Sequence, residues 1–219
     1  MLTAGVDTGK DFVGTDKNDL FNAIDNVNAD PTWTIADSID GGAGIDTFNV
    51  MTDGNVTAPF SASVKNVEKM NVTANGTVTL NTTDFTGLTT LNTTGKNDAT
   101  ITAVATTDVN VTSTDTGGGA NAIEVNGGKN VTVVSKNNVA DTITVGATTA
   151  AAGKVSVTST GTAAGSATAQ GNIAVTGGTE ITVNQYAGNA VNTTNTGGTI
   201  TVTGNEKTTT VTVNQSAAA

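Results

Sequence analysis

From about residue 64 onward the chain is a succession of short segments in which apolar side chains alternate with Thr or Asn. Gly, Asn and Asp separate the segments. They read MNVTANGTVTL (70–80), LTTLNTT (88–94), ATITAV (99–104), VNVTST (109–114), AIEV (122–125) and NVTVVS (130–135). The series continues with TITV (142–145), KVSVTST (154–160), NIAV (172–175), EITV (180–183), TITV (199–202) and TVTV (210–213). A period of two places one set of side chains inward and the other outward, as in a half-buried strand. Successive segments lie about 8 to 14 residues apart, a spacing shared by β-sandwiches and coiled solenoids.

Internal similarity favours the solenoid. Ile123-Glu-Val125-Asn-Gly127-Gly128 leads into Val131-Thr-Val133, and Ile173-Ala-Val175-Thr-Gly177-Gly178 leads into Ile181-Thr-Val183-Asn-Gln185. Ile200-Thr-Val202-Thr-Gly204-Asn205 leads, after a longer turn, into Val211-Thr-Val213-Asn-Gln215. Each unit is strand, Gly turn, strand. A hairpin is one reading, since Gly-Gly and Gly-Asn make good two-residue turns. The other is a corner of a parallel coil, where thin strips of Val and Ile stack rung on rung. The expected fold is therefore all-β and solenoid-like, related to the parallel β-helix or β-roll, with a β-sandwich as the alternative.

Composition supports the class and excludes many functions. The 219 residues include 47 Thr, 25 Asn and 26 Gly, with aromatics at 3%, so large side chains cannot fill a core. Charged residues are only 13%, and the apolar ones are regularly placed, which argues against disorder. Val, Ile and Thr suit pleated strands. With no His and no Cys there is no triad, no thiolate nucleophile and no imidazole acid or base. All nine basic residues are Lys, and the net charge is −10, which disfavours nucleic acid. No carboxylate pair stands out as a glycosidase dyad, and sugar platforms are scarce. An enzyme is not expected. No run approaches the length of a membrane span, and MLTAGVDTGK lacks the plan of a signal peptide. Without cysteines, stability must come from elsewhere, and bound metal is one candidate.

One segment is specific. Gly41-Gly42-Ala43-Gly44-Ile45-Asp46-Thr47-Phe48 matches the calcium-binding nonapeptide G-G-x-G-x-D-x-U-x, U being a large apolar residue. Glycines permit tight turns that aim carbonyl oxygens at one point, and Asp adds a hard carboxylate oxygen. A degenerate copy, Gly14-Thr15-Asp16-Lys17-Asn18-Asp19-Leu20-Phe21, lies three nonapeptide lengths earlier, with Asp16 and Asn18 as added oxygen donors that tolerate left-handed turns. Gly5-Val6-Asp7 repeats the G-x-D half, and Asp37 and Asp40 are close enough in sequence to reach the better turn. Ordinary Gly/Asp turns are the plain alternative. The in-phase pair and the carboxylate excess point to Ca2+, and a many-oxygen cage favours it over magnesium.

The block DFVGTDKNDLFNA…DSIDGGAGIDTFNV, followed by VKNVEKMNVTANGTVTLNTTDFTGLTTLNTTG (64–95), resembles the RTX-type surface-layer proteins of Gram-negative bacteria, which carry the hemolysin-type calcium-binding repeat. The resemblance covers about the first hundred residues. It implies a secreted protein of the bacterial cell surface, exported by a type I system, forming a calcium-dependent two-dimensional coat from copies of itself. It implies calcium ligands at Gly14, Asp16, Asn18, Asp19, Asp40, Gly41, Gly42, Gly44 and Asp46. Only one nonapeptide is intact, so a long calcium β-roll is not implied. Attachment to cell-surface polysaccharide would lie outside this chain. The alternative is a module of a large RTX adhesin touching glycans, surfaces or ice.

Residues 1–50 are expected to form the calcium-binding segment, and 51–219 the Thr/Asn/Gly-rich solenoid-like region. The sequence closes on three alanines straight after a strand, which suggests a piece of a longer protein. The stretch TSTGTAAGSATAQG (158–171) reads as a linker or an irregular loop. Trp33 is expected to plug the end of the core, and Glu68, with Lys65 and Lys69, to lie on a solvated face. Thr-x-Thr repeats could form an ice-binding ladder, but Thr also simply suits exposed strand positions.

Overall fold

The computed structural model describes residues 1–25, 30–114, 120–137, 141–161, 170–187 and 196–216. After a short 3-10 turn at Lys10–Phe12 come β1 (Leu20–Ile24), β2 (Ser38–Asp40), β3 (Thr47–Thr52), β4 (Val56–Thr57), β5 (Ser63–Lys65) and β6 (Lys69–Ala74). Next are β7 (Val78–Asn81), β8 (Thr90–Gly95), β9 (Ala99–Ala103), β10 (Asp108–Ser113), β11 (Ala122–Gly127) and β12 (Val131–Asn137). The described chain ends with β13 (Thr142–Val145), β14 (Val155–Gly161), β15 (Ile173–Thr176), β16 (Glu180–Tyr186), β17 (Ile200–Thr203) and β18 (Thr210–Ser216).

The fold is a parallel β-solenoid. Nine strands form one sheet in the order β1-β3-β6-β8-β10-β12-β14-β16-β18, and seven form the opposing sheet, β17-β15-β13-β11-β9-β7-β4. A short third wall, β2-β5, serves the early rungs, with Val13 bridging to Asp40. The strand pairs among the described residues are all parallel, so a two-sheet antiparallel sandwich is excluded. The Gly-Gly turns are corners rather than hairpins: β11 lies in the seven-stranded sheet and β12 in the nine-stranded one. Segment 70–80, expected as one strand, is two, because Asn75 and Gly76 turn the chain between sheets.

Register explains why the sequence settles here. Phe21, Phe48, Met70, Leu91, Val109, Val131, Val155 and Ile181 stack in one inward column, each paired with the next. From Phe48 to Ile181 each is at most 1% exposed. A one-residue slip would turn every one of them to solvent. The column tapers from aromatic to Val/Ile as the third wall ends, so the early aromatics mark where the interior is wide. Trp33 lies across that wide end, edge-on to Phe48 at 5.3 Å and to Phe85 at 6.2 Å, the plug expected from sequence.

Outward, the nine-stranded sheet carries a ladder of side-chain amides. Asn49 donates to Asn22, Asn71 to Asn49, Asn92 to Asn71 and Asn110 to Asn92, at 2.8–3.0 Å. Their separations in sequence, 27, 22, 21 and 18 residues, are the lengths of successive rungs. The column continues through Thr132, Ser156, Thr182 and Thr212, and beside it run Ile24, Met51, Thr73, Thr94, Thr112, Val134, Thr158, Asn184 and Asn214. Such ladders strengthen stacked parallel strands because every rung offers its neighbour the same donor and acceptor. The expected loop at 158–171 begins as the end of β14; residues 162–169 lie outside the described residues.

Candidate metal centre

The two Gly/Asp motifs are consecutive turns of the solenoid, entering β1 and β3. Parallel stacking places Gly14 over Gly41 and Asp19 over Asp46. Gly14 N–H donates to the carbonyl of Asp40 at 2.7 Å, Ala43 N–H to that of Thr15 at 3.0 Å, and Thr47 N–H to that of Asp19 at 2.9 Å. Gly42 (φ 88°) and Gly44 (φ 127°) hold backbone conformations that side chains resist. The third rung supplies a turn of its own. Gly41 N–H donates to the carbonyl of Lys65, and Asn66 takes a positive φ of 50°.

A file of carboxylates descends this corner. The backbone N–H of Asp19 donates to Asp46 Oδ1 at 2.7 Å, and that of Asp46 to Glu68 Oε2 at 2.7 Å. Glu68 therefore belongs to the corner, which corrects its assignment to a solvated face; Lys65 and Lys69 are exposed. Asp19 Oδ2 accepts from Thr15 N–H and Oγ1 at 2.6 and 2.9 Å. Asn18 Oδ1 accepts Ile45 N–H, and Asp40 Oδ1 accepts Gly42 N–H and Asn66 Nδ2. The side chain of Asp16 is exposed.

Asp46 differs from its counterpart. It is fully buried, and its Oδ2 has no hydrogen-bond partner. The cause is local: Gly42 stands where the earlier copy has Thr15, so it brings no hydroxyl, and its N–H turns to Asp40. A bare buried carboxylate oxygen is costly unless a cation or proton completes it. A Cβ on Gly41 would run into the carbonyl oxygen of Asn66 and come within 2.5 Å of Asp46 Oδ2. Glycine thus lets the Asn66 carbonyl oxygen and Asp46 Oδ2 approach the same point of the backbone. Among the described residues no three acidic side chains gather into a metal cage. The donor set fits a hard cation held by backbone carbonyls and one carboxylate, the chemistry of calcium, rather than a cage of carboxylates.

Asp7 and Asp37 are directed elsewhere. Asp37, fully buried, accepts Asp7 N–H at 2.8 Å, Thr34 N–H at 2.6 Å and Thr34 Oγ1 at 3.1 Å. Asp7 accepts Thr3 N–H and Oγ1 in the same manner. These two close a pair of Thr–Asp loops and do not turn their oxygens to Asp46. No protein-family model and no curated protein matches the chain.

The sequence motifs place Gly14, Asp19, Gly41 and Asp46 at this corner, and the structure adds Asn66 and Glu68 to it. The missing signal was the rung length. Phe48-Asn49-Val50 recurs as Met70-Asn71-Val72, and carrying Asp46 forward by the same 22 residues lands on Glu68.

Proposed function

We propose that this chain is a structural module of a bacterial surface layer of the RTX type, assembling with copies of itself in two dimensions when calcium is bound. The observation that carries the reading is the buried, partnerless oxygen of Asp46, brought by Gly41 close to the carbonyl oxygen of Asn66. Asp46 and the carbonyl of Asn66 would hold one ion, and Gly41, Gly42, Gly44, Asp40, Gly14, Asp16, Asn18 and Asp19 are the pool of oxygens from which its remaining ligands, or those of a further ion, would come. Bound calcium supplies positive charge to an acidic corner and locks three turns to one another. The chain does no chemistry in this reading, which agrees with its lack of His, Cys and Arg. Export by a type I system and a place on the outer cell surface follow from the resemblance.

Calcium titration followed by light scattering and electron microscopy tests the reading. Ordered sheets are expected with the native chain and none with Asp46→Asn. A chain that stays monomeric and unaltered in millimolar calcium overturns it.

An adhesin module is the second reading, and one feature favours it. A cleft of about 650 Å³ beside Trp33 is lined by both prolines of the chain, Pro31 and Pro59, with Ile35 and the exposed Phe60 at hand. Binding of a glycan panel at that cleft, lost in Phe60→Ala and unaffected by calcium, would favour the adhesin.

A further inference from the structure

The net charge of −10 lies outside the nine-stranded sheet. Its strands contain four charged residues, Lys69, Asp108, Lys136 and Glu180, which sum to zero and sit near strand ends. The two outward columns between them, the Asn22 ladder and the column through Thr73, Thr94 and Thr112, hold no charge over nine rungs. Strands of 5 to 7 residues stacked nine deep make a surface of about 40 Å by 20 Å. That is on the order of 800 Å², the share each partner contributes to a standard stable interface. The seven-stranded sheet is narrower, with strands of 2 to 6 residues, and carries Glu124 at mid-strand.

We propose that the outer face of the nine-stranded sheet is the surface through which two copies of this chain meet, face to face. This rests on the self-assembly reading above and names the surface it uses. Two molecules of net −10 repel, and like charges set face to face are costly, so a wide face held neutral is where they can approach. The amides from Asn22 to Asn110 already bond to one another along the rungs, and the Thr hydroxyls beside them, such as Thr73, Thr94 and Thr112, can bond to those of the second copy across the contact. A flat polysaccharide is the other occupant such a face could suit. Sugars, however, are gripped through aromatic rings, and among the described residues of this sheet Tyr186 at the margin is the one ring that is not turned into the core.

The absence of cysteine supplies a clean probe. Thr94→Cys on this face, oxidised in calcium, should give a cross-linked dimer, whereas Thr100→Cys on the seven-stranded face should not. The triple variant Thr73→Lys, Thr94→Lys, Thr112→Lys should raise the concentration needed for association about tenfold or more, with far-UV circular dichroism unchanged. The matching triple Thr79→Lys, Thr100→Lys, Thr144→Lys should leave it alone. If the native chain associates in calcium but the first triple does so equally well, this face is wrong while the surface-layer reading stands. If the first triple loses retention on a polysaccharide matrix and not self-association, the partner is a sugar and the proposal falls. If the native chain never associates, both fall together.

Discussion

Two kinds of corner bend this solenoid, and both rely on glycines with positive φ. At the first, residues 41–46, glycine makes room for oxygen: a side chain on Gly41 would displace the carbonyl of Asn66 and crowd Asp46. At the second, residues 127–128, Gly127 makes room for a satisfied backbone carbonyl and Gly128 for the core. A Cβ on Gly127 (φ 75°) would be driven into the carbonyl oxygen of Ala103, and one on Gly128 (φ 84°) would press on Val109 and Val131 at 3.1 and 3.2 Å. Gly178 repeats this against Val155. The same residue type therefore has two duties. One corner is left with an unmet electrostatic demand, and the other is closed by packing and by its own backbone hydrogen bonds, Gly127 N–H to the Thr149 carbonyl and Gly128 N–H to that of Ala103. Glycine content could not separate the two, but the neighbours one rung away do.

The largest way to test that distinction is Gly127→Ala. Left-handed backbone costs about 1–2 kcal/mol, and pushing aside the Ala103 carbonyl adds an overpacking penalty, so a loss of about 3 kcal/mol is expected from urea midpoints. The loss should be the same with calcium or chelator. The metal corner should behave oppositely. Calcium at a hundred times its dissociation constant should stabilise the native chain by about 2.7 kcal/mol, with no such gain in Asp46→Asn. Asn at that position can still accept Asp19 N–H, so it removes the charge while retaining the turn's own hydrogen bond. A native chain whose unfolding ignores chelator would reduce the two corners to one kind.

Much of this was legible in the chain because period-two alternation and paired glycines act locally. Val131-Thr-Val133 declares a strand wherever it lies, and Gly127-Gly128 declares a bend. What the residues do not declare locally is which rung lies above which. The spacing falls from 27 to 22, 21 and 18 residues and reaches 30 between Asn184 and Asn214, so no fixed repeat length exists to be found. Asp37 shows the consequence. It is a few residues from Gly41 in sequence, yet it serves Thr34 and Asp7, because Asp7 is the residue one rung away. Glu68 shows the converse: flanked by exposed lysines, it resembles a surface residue until register sets it against Asp46.

The amide ladder runs from the rung of the first corner to β10, short of the second, and its middle member tests how far rungs are coupled. Asn71→Ala removes the donor to Asn49 and the acceptor for Asn92, both half-buried. A loss of about 1–2 kcal/mol is expected in a urea titration. Hydrogen exchange should show protection falling in β6 and its neighbours β3 and β8, with β14 and β16 unchanged, because each rung touches only those beside it. Uniform loss of protection from end to end would show one cooperative unit and erase the distinction between the corners.

The smallest effect belongs to the charge that a casual count would rank highest. Lys154 and Glu180 form an ion pair of 2.8 Å near the Gly177–Gly178 corner, with side chains 66% and 50% exposed. Water screens both partners, and two long side chains lose freedom to hold one geometry, so such pairs are worth little. Lys154→Met should shift stability by less than about 0.5 kcal/mol, and raising the salt should leave the native chain equally indifferent at this corner. Asp46 is the contrasting case, fully buried and lacking a partner for one oxygen. Burial is what turns a formal charge into a demand on the structure, so a Lys154→Met loss matching that of calcium removal would mean the charged corners are ranked by number rather than by depth.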